Sequence, residues 1–297
     1  MNQPLLSIII PTYNRPRLLP RAVNSALNQS LTDFEVIVVD DCSTMAVELP
    51  QHPQLQIIRL PKNRGGAAAR NIGTTTARGR WITFLDDDDE LLPDMAAISL
   101  AAIKNTNLPQ PVGILTGIEV INQKGRVIER RFPPTLPCGC YFSLEEIPPD
   151  KSFLSKQTLV VEREVLLSIG GFDETFASRI HTELFLRLNQ ACSLLGVPQI
   201  TYRLYKHSGY RVSSDPTRRQ ASFNRLVAKH RAIFQAHPKM FAEAIYNQAM
   251  VCFRLGQNRA AVKNLAWALK IDPIHTLGKI NSLFKRCWRS QLRSFGT

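Results

Sequence analysis

Short apolar runs alternate with polar breaks through the first third of the chain. LLSIIIP, over residues 5–11, is a continuous apolar run closed by proline, the pattern of a buried strand. FEVIVVDD (34–41), LQIIRL (55–60) and WITFL (81–85) repeat it. Between these runs, residues 17–29 place Leu18, Leu19, Ala22, Ala26 and Leu27 at helical spacing. GGAAARNIGTTTA predicts a helix that starts at Gly66 and runs to about Ala77. Strands alternating with helices predict an α/β protein with a parallel, doubly wound sheet. Ligands of such sheets bind outside the carboxyl ends of the strands. Three of the four strands finish in polar residues, PTYN, DDCS and DDDD, so three ends are expected to line one crevice.

The rhythm then changes. A helix is expected to end near Asn105, followed by a hairpin of VGILTGIEVIN (112–122) and KGRVIERRF. PPTLPCGC and EEIPPDK read as irregular loops. Residues 155–174 read as strand, short helix and glycine turn, and HTELFLRLNQ as an amphipathic helix with Leu184, Phe185 and Leu188 on one face. QITYRLY (199–205) predicts a short strand before a basic loop. From Gln220 the pattern is helical, and Ala249, Gly256, Ala261, Ala268 and Pro273 resemble the marks of one tetratricopeptide-like helix pair. These readings divide the chain into an α/β domain over 1–215 and a basic helical extension over 216–297.

Composition narrows the class. With 44% hydrophobic and 21% charged residues, the chain has an ordinary globular composition. No run approaches the about 18 apolar residues that span a bilayer, and MNQPLLSIIIP lacks a secretory leader's basic start. A cytoplasmic protein is expected. Cys138 and Cys140 form the only close cysteine pair and have no second pair at metal-site spacing. The net charge of +13 is concentrated at one end: from Thr201 onward there are 18 Lys and Arg against Asp215, Glu243 and Asp272. That imbalance implies an anionic partner. With no readout motif and no interleaved aromatics, nucleic acid is not that partner. The last segment sets Ile280, Leu283, Phe284, Cys287 and Trp288 on one face, with Lys285, Arg286, Arg289 and Arg293 mainly elsewhere. Such a helix suits an anionic membrane surface, which would place the protein on the inner face of the membrane, or docks on its own domain.

The acidic run Asp86–Asp89 carries the clearest chemistry. Alternate residues on extended backbone share a side, so Asp86 and Asp88 can converge at the mouth of the crevice. Carboxylates there suit Mg²⁺ or Mn²⁺ bridging protein and substrate phosphates. Asp40 and Asp41, at another strand end, can accept bonds from a base or ribose. Arg70 and Asn71 lie on the helix that follows the Gly65-Gly66 turn.

Taken in order, SIIIPTYNR, VIVVDDCST, NRGGAAARNIG and GRWITFLDDDDE resemble glycosyltransferase family 2 on the GT-A fold, over about residues 5–210. The resemblance implies a Rossmann-like, mostly parallel sheet flanked by helices, and inverting transfer from a nucleotide-diphosphate sugar, a UDP-sugar favoured, with Mg²⁺ or Mn²⁺. It places Pro11, Thr12, Tyr13, Asn14, Arg15, Asp40 or Asp41, Asn63, Gly66, Arg70, Asp86 and Asp87 toward the nucleotide-sugar. It puts Asp88 on the metal with His207 nearby, and Arg211 and Ser213 beside the diphosphate. The acceptor would be a carbohydrate or lipid-linked hydroxyl, in cell-surface polysaccharide or glycolipid synthesis. One departure stands out. Between GGFDETF and ELFLRL, the family's usual catalytic Asp is replaced by His181, so either His181 or Glu183 is the expected base. A degenerate adaptor on the same fold, binding through its helical tail, is the competing reading, and a nucleotidyltransferase is disfavoured because TYNR is not a Gly-rich phosphate loop.

Overall fold

The computed structural model describes residues 3–206 and 215–294, with backbone alone at Pro216 and over 284–294. It divides into two compact units, Met1–Tyr210 and Arg211–Thr297.

The first unit is built on a nine-stranded sheet. Strands β1 (Leu6–Thr12), β2 (Phe34–Asp40), β3 (Leu55–Arg59) and β4 (Trp81–Phe84) run parallel in the order β3-β2-β1-β4. Every residue of β1, β2 and β4 is buried, which is why these strands read as unbroken apolar runs; β3, at the edge, is not. Alternate side chains feed two cores. Ile8 and Ile10 join Leu19 and Val23 of helix α1 (Leu19–Leu27), while Ile9 and Ile37 join Ala67 and Ala69 of α2 (Gly66–Thr76).

Beyond β4 the sheet is mixed rather than mostly parallel. Strand β5 (Glu90–Leu91) and helix α3 (Met95–Asn105) lead into the expected hairpin, β6 (Val112–Ile121) with β7 (Val127–Arg131). After a 3₁₀ turn, Phe153–Thr158, strand β8 (Val160–Glu162) lies antiparallel to both β4 and β6. Helices α4 (Arg163–Ser168) and α5 (Ile180–Ala191) follow. The last strand, β9 (Ser193–Tyr205), runs parallel to β6 and antiparallel to β5, and it begins well before the apolar pattern shows. Gly196 and Pro198 interrupt that pattern. The glycine is needed because a Cβ would stand 2.6 Å from the Pro133 carbonyl oxygen.

The second unit contains α6 (Pro216–Lys229), α7 (Arg231–Ala236), α8 (Pro238–Arg254), α9 (Asn258–Ile271) and α10 (Pro273–Ser294). Asp215 caps α6 by accepting the Thr217 and Arg218 N–H groups at 2.9 and 3.1 Å. The α8–α9 hairpin turns at Gly256, whose φ is +71°. Gln220 Oε1 accepts from Gln248 and Asn264 at 2.9 and 3.0 Å, tying α6 to both helices of the hairpin. A tetratricopeptide unit is not established here; the structure shows a helical hairpin. The amphipathic face expected at Phe284–Arg293 falls beyond the described side chains. Among the described residues no helix is long and apolar enough to cross a membrane, and Cys138 and Cys140 are free thiols.

Candidate active site

The ends of β1, β2 and β4 are bonded to one another. The Asp41 N–H donates to the Thr12 carbonyl at 2.9 Å. Asn14, in the left-handed region at φ +53°, donates its N–H to Ser43 Oγ at 2.8 Å and accepts the Thr44 N–H at 2.7 Å. Asp40 and Asp41 then part in role. Asp41 accepts the Arg64 and Gly65 N–H groups, each at 2.7 Å, while Asn63 donates to the Asp41 carbonyl at 3.2 Å. That carboxylate shapes the loop entering α2. Asp40 accepts only the Ser43 N–H on Oδ1, at 2.9 Å, and its buried Oδ2 has no hydrogen-bond partner. Arg59 Nε stands 3.8 Å from it. Pro11 is buried beside these groups and Tyr13 is exposed at the mouth.

The four aspartates split by direction. Buried Asp87 accepts Thr12 Oγ1 at 2.7 Å and pairs with Arg15 at 2.8 Å; the same Arg15 nitrogen reaches Asp88 at 2.8 Å. Asp86 accepts from Arg70, whose guanidinium is buried and donates back to the Gly66 carbonyl at 2.9 Å. Gly66 leaves room for that arm, since a Cβ there would lie 2.9 Å from Arg70 Nη1. Asp89 accepts the Tyr202 hydroxyl at 2.9 Å and the Tyr205 N–H at 2.8 Å.

Asp86, Asp88 and Asp89 each offer an oxygen within 4.8 Å of the others. Crowding buried carboxylates perturbs them. Burial above all lifts Asp87 to about 6 against the pull of Arg15 and Thr12, and burial with the charges of Asp86 and Asp88 lifts Asp89 well above the carboxylate range. Three hard oxygen donors with a surplus of negative charge fit Mg²⁺ or Mn²⁺. Sequence alone gives Asp89 no separate role, because its partners Tyr202 and Tyr205 lie on β9, far along the chain.

His181 and Glu183 share the first turn of α5 but have different surroundings. The His181 ring stands edge-on to Phe172 at 5.5 Å, and Phe172 packs edge-on against Phe84 at 5.1 Å. His181 is partly buried and makes no hydrogen bond among the described residues. Burial, then the charges of Arg70 and Lys156, hold its pKa well below 6.5. Glu183 is fully buried and grips Arg187, with oxygen–nitrogen distances of 2.8 and 2.5 Å. Arg187 in turn donates to the Ile169 and Gly171 carbonyls at 2.6 and 2.8 Å. Through Arg187, Glu183 thus braces the glycine turn; the i,i+4 Glu–Arg spacing on a helix is the signal for this. Asn71 docks the same turn from α2, donating to the Phe172 carbonyl at 2.9 Å and accepting its N–H at 2.8 Å. His207, Arg211 and Ser213 lie outside the described residues.

Comparison with known proteins gives this arrangement a context. The sequence profile of glycosyl transferase family 2 matches residues 7–164. An uncharacterised glycosyltransferase of Haemophilus influenzae is 29% identical over 231 residues, 74% of this chain and 75% of that protein. The putative colanic acid biosynthesis glycosyl transferase WcaA of Escherichia coli is 42% identical over 106 residues, 34% of this chain and 38% of its own length. The crystal structure of S. aureus TarS 1–349 in complex with UDP-GlcNAc superposes with a TM-score of 0.64 at 19% identity, over 92% of this chain and 82% of that one, a likeness of fold.

Proposed function

Because the chain belongs to glycosyl transferase family 2, we propose that it is a divalent-metal-dependent, inverting transferase that moves a sugar from a nucleoside-diphosphate sugar to an acceptor hydroxyl. The observation that carries this reading is the convergence of Asp86, Asp88 and Asp89 within 4.8 Å, at the ends of parallel strands beside the spare oxygen of Asp40. Asp40 Oδ2, which has no hydrogen-bond partner, would accept an N–H of the nucleotide base, and the exposed Tyr13 ring would stack. Arg15 and Arg70 are the cations nearest the acids and can exchange a carboxylate partner for phosphate oxygens. A UDP-sugar is favoured, supported by the TarS complex of similar fold. The similarity to WcaA, a putative colanic acid biosynthesis glycosyl transferase, supports cell-surface polysaccharide or glycolipid synthesis, with a carbohydrate or lipid-linked acceptor.

Mg²⁺ or Mn²⁺, held by Asp88 and Asp89 with Asp86 alongside, would supply charge neutralisation to the departing nucleoside diphosphate. The chain's own groups do the rest. The acceptor oxygen bonds to the anomeric carbon from the face opposite the diphosphate, while the sugar–phosphate C–O bond breaks with its electron pair leaving on the diphosphate. A ring nitrogen of His181 takes the hydroxyl proton. Its depressed pKa keeps the imidazole neutral, hence able to accept, throughout the neutral range. Phe172 fixes the ring plane.

Calorimetry tests the site. UDP should bind more tightly with Mn²⁺ than without, and Asp88→Asn should abolish that gain. Equal, metal-independent affinity in both proteins would refute the metal site.

A further inference from the structure

Lys156 lies in the 3₁₀ turn Phe153–Thr158 with only 9% of its surface exposed. Its ammonium donates to the Phe153 carbonyl at 2.7 Å and stands 5.0 Å from the centre of the Phe142 ring. Among the described residues it has no carboxylate partner within 4.0 Å, and the undescribed segments 1–2, 207–214 and 295–297 contain no Asp or Glu. A buried ammonium ordinarily sits against a counter-ion, because desolvation is costly and one carbonyl serves only one of its three N–H donors. Here the charges that bear on it are of like sign. Burial, then Arg179, lower Lys156 to about 7, and Lys156 acts together with Arg70 on His181. Arg70 already has Asp86 as its partner. Phe142, under the ammonium, packs at 4.7 Å on Phe185 of α5, the helix that carries His181, so an ammonium without a carboxylate lies close to the proposed proton acceptor.

We propose that Lys156 binds an anionic group, phosphate or carboxylate, carried by the sugar acceptor beside His181. The proposal rests on the transferase reading and names the acceptor class that reading leaves open. An anion at Lys156 supplies the missing counter-ion. It also offsets the field that opposes protonation of His181, so the base gains strength only when the acceptor is in place. A neutral acceptor does neither. Because neutral Lys156 would bind an anion poorly, binding should also weaken as pH rises above neutrality.

The test uses the full chain loaded with UDP and Mg²⁺, so that the diphosphate site is filled. Glycerol 3-phosphate, glucuronate and glucose are titrated at fixed ionic strength. At least one anion should bind tenfold or more tighter than glucose. Preference for glycerol 3-phosphate would assign a phosphate-bearing acceptor, and preference for glucuronate a uronate. Lys156→Met should lose tenfold or more of that affinity, and Lys156→Arg should keep most of it, with thermal melts confirming that both fold. Equal binding of anions and glucose by the wild-type chain, or undiminished anion binding by folded Lys156→Met, would overturn the proposal. The same titrations without UDP keep the Lys156 result readable if UDP fails to bind, an outcome that would count against the nucleotide-sugar reading instead.

Discussion

The Glu183→Gln substitution keeps the shape of a side chain and removes its charge. In the native fold both Glu183 oxygens face Arg187, with no solvent exposure on the carboxylate side. The amide can satisfy one guanidinium contact, but its NH₂ opposes the other, donor against donor. Removing one member of a fully buried ion pair costs about 3–5 kcal/mol. The Arg187 side chain is 22% exposed and keeps its bonds to Ile169 and Gly171, which brings the expected loss to about 2–3 kcal/mol. Urea denaturation followed by fluorescence reads that loss directly. Donor turnover measured well below the melting temperature should fall less than about tenfold, because both Glu183 oxygens are held by Arg187, whereas a general base contributes about 10²–10⁴-fold. Unchanged stability with turnover down a hundredfold would refute the bracing role and return the base assignment to Glu183.

Three further outcomes follow from particular contacts. Lys156→Met should stabilise the protein at pH 6 more than at pH 10. The folded Lys156 titrates near 7 against an ordinary 10.5, so the unfolded chain binds more protons between those values and wild-type stability recovers as pH rises through them. The gap caps the low-pH gain at about 5 kcal/mol, with relaxation and water entry bringing it nearer about 2; a pH-independent difference in urea midpoint would contradict this. Gly171→Ala should cost about 2–3 kcal/mol by thermal melt, since φ is +64° and the new Cβ would meet Asn71 Oδ1 at 2.5 Å; a neutral result would mean the Asn71 seam yields freely. Tyr202→Phe removes a hydroxyl that donates to Asp89 at 2.9 Å and should cost about 1–3 kcal/mol, with no loss in denaturation midpoint counting against a buried, paired Asp89.

The sequence was most legible where one local pattern decided the structure. Strands covered on both faces read as unbroken apolar runs, so β1, β2 and β4 were plain, and the glycine-led start of α2 was plain from Gly65 and Gly66. Legibility failed where a residue's role depends on distant partners. Asp89 looked like surplus charge until Tyr202 and Tyr205 came to meet it. Asp40 and Asp41 were indistinguishable as neighbours, and only the Gly65 loop, arriving from another strand, separates them. Lys156 heads the stretch 155–174 that reads as a strand, whereas it lies in a 3₁₀ turn whose setting is made by the Phe142 ring from outside that stretch. The mixed half of the sheet was hidden for a similar reason: β8 is short, and the start of β9 is masked by Gly196 and Pro198.

Arg70 and Asn71 are consecutive on α2 and hold different partners. Arg70 holds Asp86, while Asn71 holds the backbone of Phe172, the ring against which His181 stands. No flexible linker separates these two grips; one helical turn carries both. A donor that draws Arg70 away from Asp86 would therefore pull on the platform under the proposed proton acceptor. On the proposed reading, the expected kinetic consequence is an ordered reaction, in which occupancy by the nucleotide-sugar sets the seat that the second substrate enters.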